Sequence, residues 1–137
     1  MKKHKKNGFT LIELLIAIFI LTVGILGIMA IFPMASRIEK SNQIITVATQ
    51  LAQGKAEEIL YKPYNEITVG TTTENYGSIS NFNSFKRIAK VNYYDPENST
   101  IASSDLGIKQ IEITVYWESP LGNSERSTAV ISLVSKR

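Results

Sequence analysis

Glu13 is a carboxylate set inside an apolar run, and no charged residue follows it until Arg37. Lys2, Lys3, His4, Lys5 and Lys6 precede it closely, then Gly8-Phe9-Thr10-Leu11-Ile12-Glu13. A carboxylate in lipid costs about 2.5 to 3.5 kcal/mol at mid-helix and less near a helix end. The chemistry open to Glu13 is therefore pairing with a cation brought to the same depth. Other chemistry is thinly supplied. The sequence contains no cysteine and one histidine, His4, so thiolates, disulfides and Cys/His zinc sites are excluded, and any Ser–His arrangement depends on His4. Glu57 and Glu58 are adjacent, and neighbours on a helix point about 100° apart, so they read as solvated surface rather than an acid–base pair. Asp95-Pro96-Glu97-Asn98 to Asp105 has oxygen ligands of the kind calcium takes, at a spacing that fits a turn better than any calcium loop. These residues predict a protein that is not an enzyme and holds no cofactor or metal.

The element that must position Glu13 is the run itself. From Leu14 to Phe32 there are 19 residues without charge, enough at about 1.5 Å per residue for a hydrocarbon core of roughly 30 Å. The basic flank predicts residues 1–7 on the cytoplasmic side and the remainder outside. A secretory signal peptide needs a small-x-small cleavage site, and Gly27-Ile28-Met29, Ile28-Met29-Ala30 and Pro33-Met34-Ala35 each fail at one small position. A plain single-pass anchor explains the length and flanks but not Glu13. Pro33 lacks an amide proton and crowds the carbonyl of Met29, so a kink or break is expected there.

Beyond Pro33 the pattern becomes amphipathic. Ile38, Ile45, Ala48, Leu51, Ala52, Ala56, Ile59 and Leu60 recur at three- and four-residue steps, which predicts a helix over 34–62. Ser36 with Glu39 suggests a capping box at its start, and Pro63 ends it. Three strands follow. Ile111 to Trp117 alternates cleanly; Ser127 to Ser135 alternates through Ala129, Ile131 and Leu133; Arg87 to Tyr94 has Ala89, Val91 and Tyr93 as its inner face. The loop Ser119-Pro120-Leu121-Gly122-Asn123-Ser124 joins the last two. Such a sheet must bury one face, and the helical stripe is the available cover, so the fold class is α+β. Residues 64–86, rich in Asn, Ser, Thr and Gly, read as a connecting loop.

Net charge is +3, but four of the fifteen basic residues are Lys2, Lys3, Lys5 and Lys6, which leaves eleven against twelve acidic ones from residue 9 onward. That balance favours no nucleic acid. Lys86, Arg87 and Lys90 near Tyr93 are the one basic, aromatic-bearing candidate for DNA.

Gly8-Phe9-Thr10-Leu11-Ile12-Glu13, behind a basic leader and directly before a spanning segment, resembles the processing site of type IV prepilins and type II secretion pseudopilins. The resemblance implies a leader over 1–8, cleavage between Gly8 and Phe9 by a prepilin peptidase, and N-methylation of Phe9. It also implies that Glu13 sets subunit register by pairing with the amine of a neighbouring subunit's Phe9. The implied organisation is a transmembrane and filament-core helix over 9–33, an amphipathic helix over 34–62 and a globular domain over 63–137. The implied life cycle runs from a single-pass inner membrane protein to a filament, with other pilin subunits, a platform membrane protein and a cytosolic ATPase as partners. Val23-Gly24-Ile25-Leu26-Gly27, Leu51-Ala52-Gln53, Lys55-Ala56-Glu57-Glu58-Ile59-Leu60 and the Tyr116-Trp117 strand with its short last hairpin are similar to the pilus-modification minor pilins and I-type minor pseudopilins. That implies a minor subunit that primes assembly at the tip. The alternative is a tip binding module, an adhesin or a competence pilin that takes up DNA.

Overall fold

The computed structural model describes residues 8–120, 122 and 124–136. Residues 1–7 of the expected leader, and Leu121 and Asn123 of the expected hairpin loop, lie outside the described residues. The chain forms two compact units that part between Ile38 and Glu39.

In the first unit, α1 (Leu11–Met29) has no buried residue. It opens a helical stretch, Leu11–Leu60, long and apolar enough by length and composition to cross a membrane. An all-round apolar helix without a protein cover needs lipid or other helices. The helix is interrupted at Ala30 and Ile31, and α2 (Phe32–Leu60) begins directly after. Pro33 is thus the second residue of α2. Its missing N–H falls in a first turn, where an amide would have no intrahelical partner. The carbonyl of Ile31 accepts from the amides of Met34 and Ala35, both at 3.1 Å. The expected Ser36 cap is overturned, because the restart is four residues earlier and Ser36 lies inside α2.

In the second unit, residues 39–60 of α2 lie on an antiparallel sheet, giving an α+β architecture. Ala48, Ala52 and Ala56, spaced one turn apart, are buried, with Ile44, Val47, Leu51 and Ile59 packed around them. Small residues let the helix approach the sheet closely, and the stripe is centred on them rather than on Ile38, Ile45 and Leu60, which are exposed. The helix ends at Leu60, before Pro63 pushes Lys62 out of helical geometry. A single 3-10 turn, Tyr64–Glu66, starts the connection to the sheet.

The sheet has five strands where about three were expected: β1 (Gly70–Glu74), β2 (Phe85–Asp95), β3 (Thr100–Ala102), β4 (Ile108–Glu118) and β5 (Glu125–Ser135). Their order is β1-β2-β4-β5, with β3 pairing β2 beyond β1, and every pair is antiparallel. The central strand, β4, turns Lys109, Ile111, Ile113, Val115 and Trp117 inward, all buried. Phe85, Ala89 and Val91 from β2 join them. On β5 the inward side is Val130 and Val134, opposite Ile113 and Lys109. Ala129, Ile131 and Leu133 face away from the core and are exposed. Gly107, at φ +85° in the turn before β4, takes a backbone conformation that a side chain would strain.

Candidate functional site

Gly8, Phe9 and Thr10 lie ahead of α1 as non-helical chain. No atom outside the adjoining residues comes within 4 Å of the point where a Cβ would stand on Gly8, and Phe9 is 85% exposed. The Gly8–Phe9 peptide bond therefore lies in exposed, non-helical chain.

Thr10 is the N-cap of α1. Its extended backbone (φ −79°, ψ 151°) leaves Oγ1 free to accept from the amide of Glu13 at 3.3 Å, and its carbonyl accepts from the amides of Glu13 and Leu14 at 3.1 and 3.2 Å. This places Glu13 at the third helical position, in the first turn, where a carboxylate faces the positive end of the helix dipole. Sequence reasoning about lipid missed Thr10. The spacing Thr10-x-x-Glu13 is a capping-box pattern and was the available signal. Among the described residues no cation pairs with Glu13.

The other sequence candidates are dispersed. Lys86 and Lys90 fall on the outer face of the sheet, whereas Arg87 points the other way. Arg87 holds Glu74 at 2.7 and 2.9 Å and donates to the carbonyl of Leu51 at 3.0 Å. That pair holds the Glu74 carboxyl below its usual range, the hydrogen bond from Arg87 being the main cause. Lys86 bonds Glu125 at 2.9 Å and lies over the rings of Tyr116 and Tyr76, 4.5 and 5.6 Å from their centroids. The three charges thus form no common basic surface.

Asp95 accepts from the amides of Glu97 and Asn98 and from the Asn98 side chain, which lowers its carboxyl. Asp105 accepts from the Tyr64 hydroxyl and the amide of Gly107. Asp95 is engaged in a local turn and Asp105 bridges its own turn to Tyr64, and no group of three metal-ligating acidic or His side chains occurs among the described residues. Burial, then the bond to Asp105, pushes Tyr64 up to about 12. Glu58 is bonded by Lys55 at 2.8 Å, one turn back on α2.

One charged group was missed altogether. Lys109 is 5% exposed; its Nζ donates to the carbonyls of Tyr64 and Ile67 at 2.9 and 2.7 Å and lies over the Tyr64 ring, 4.1 Å from the centroid. It ties the connection after α2 to the central strand.

Residues 3–29 match the family model of the prokaryotic N-terminal methylation motif. No curated protein and no solved structure matches the chain. The motif supports a prepilin-type pilin or pseudopilin, a structural subunit rather than an enzyme. It implies processing by prepilin peptidase and assembly with other pilins, and together with the long apolar helix it fits a single-pass inner-membrane protein.

Proposed function

We propose that the chain is cut between Gly8 and Phe9, methylated on the new amine of Phe9, and built as a minor subunit into a type IV pilus or a type II secretion pseudopilus. The observation that carries this reading is the methylation motif, with Glu13 in the first turn of a helix that needs lipid or other helices around it. Cleavage makes a cation a few residues from Glu13. In a filament of stacked α1 helices, the amine of one Phe9 meets the Glu13 of the next, and any register that separates them leaves a buried charge unpaired, at about 3 to 5 kcal/mol. The sheet domain lies on the extracytoplasmic side. The loose likeness to the pilus-modification and I-type minor subunits supports a role in priming assembly at the tip. The platform membrane protein and the ATPase supply the work.

The test is intact mass and N-terminal sequence of the protein from cells with and without an active prepilin peptidase. A chain starting at methylated Phe9, present only with the peptidase, is the expected result. One that keeps its leader, or is cut elsewhere, overturns the reading.

A further inference from the structure

β5 ends the sheet, and nothing among the described residues pairs with its outer edge. Protein edges are normally blunted by short strands, prolines, charges or bulges. The opposite edge follows that rule, since β1 has only five residues, Gly-Thr-Thr-Thr-Glu. β5 breaks it. It is eleven residues long, pairs one-to-one with β4 over its whole length, and has neither proline nor charge from Ser127 to Ser135. Ile131 and Leu133, beside that edge on the outer face, are 58% and 53% exposed.

We propose that the free edge of β5 pairs antiparallel with β5 of a second copy of this chain, about an axis at Val130. In that register Thr128 stands opposite Ser132 on the inner face, a hydroxyl pair of a kind that stabilises neighbouring strands. Ala129 stands opposite Ile131 on the outer face, small against large, twice. Arg126 meets Val134, Glu125 meets Ser135 and Lys136 meets Ser124, so no like charges are opposed. Moving the axis to Ile131 sets Arg126 against Lys136, which is repulsive. Stopping halfway between these registers turns inner faces outward. The like charges therefore disfavour the axis at Ile131, and the Thr128–Ser132 and Ala129–Ile131 pairs favour the one at Val130.

The edge is about 37 Å long and, taken roughly 10 Å deep, offers on the order of 400 Å² per partner. A specific interface takes about 600 Å² or more per partner. The contact is thus weak between free molecules and forms where copies are held together, which α1 does if it anchors them in one membrane. To that extent the proposal rests on the function proposed above.

The chain has no cysteine, so an introduced thiol is the only one present. Ala129→Cys and Ile131→Cys, both at exposed positions, are made in differently tagged full-length chains, and membranes holding one or both are oxidised with copper phenanthroline. The expected result is several-fold more covalent dimer from the mixture than from either variant alone or from Thr72→Cys on the opposite edge. Leu133→Lys together with Ser127→Lys in both chains sets like charges opposite each other twice in this register and should bring it down to the Thr72→Cys level. Chain in the membrane fraction with no excess of mixed dimer overturns the pairing while leaving the anchor intact. So does Ile131→Cys linking to itself best, or linking to another protein. Chain missing from the membrane fraction overturns the anchor, and with it the condition that makes the pairing form.

Discussion

Arg87 grips Glu74 with two nitrogens, Nε at 2.7 Å and Nη2 at 2.9 Å from the two carboxylate oxygens. A third, Nη1, reaches the carbonyl of Leu51 on α2. The guanidinium thus joins three elements: β2, the neighbouring strand β1, and the helix that covers them.

That junction makes stability pH-dependent. The Glu74 carboxyl is depressed in the folded chain, so its contribution is present above the ordinary carboxyl value, near 4.5, and is lost as pH falls through the lowered one. Thermal unfolding in detergent, followed from pH 7 to pH 3, should show a decline that Glu74→Gln flattens. Arg87→Met should lower stability by about 2 to 3 kcal/mol at neutral pH, because it leaves a partly buried carboxylate without its charged donor.

Lys109→Met keeps most of the apolar stem of the side chain and removes its donors. The carbonyls of Tyr64 and Ile67 lose their partner, at about 1 to 3 kcal/mol. The opening should be local, so hydrogen exchange should rise first in residues 62–69 and little in β4 itself. Uniform loss of protection would instead mean that the ammonium supports the whole core.

Ala52 has no exposed surface between α2 and the sheet. Ala52→Leu should cost about 1 to 3 kcal/mol by overpacking. The same change at Gly54, where 4 Å around the would-be Cβ is clear, should be neutral or slightly stabilising. Paired melting curves distinguish them.

For the proposed processing site, Gly8→Val should leave the residues before Phe9 attached. Glu13→Gln should leave cleavage intact and lower recovery in the filament fraction at least tenfold, as the loss of about 1.4 kcal/mol or more of pairing would. Thr10→Ala should weaken the start of α1 by about 1 kcal/mol, with cleavage retained.

The N-terminal features were legible in the sequence because they are contiguous. The methylation motif falls within residues 3–29, and the apolar run needs no tertiary partner to declare itself. That α2 stops just before Pro63 followed equally from a local steric constraint, although the helix ends at Leu60, two residues short of the expected 62. Strand β4 was legible because its alternation is strict. The rest depended on contacts between distant segments. β1 is three threonines between Gly70 and Glu74 and has no apolar alternation, and β3 has only three residues, so neither declares itself before pairing with β2. β5 has apolar residues on both faces, and only its register with β4 turns Val130 and Val134 inward while Ala129, Ile131 and Leu133 face away. Lys109 reads from sequence as a surface lysine. It is buried because two carbonyls and a tyrosine ring, more than forty residues away along the chain, replace the water around its charge. Periodicity along one segment cannot encode that.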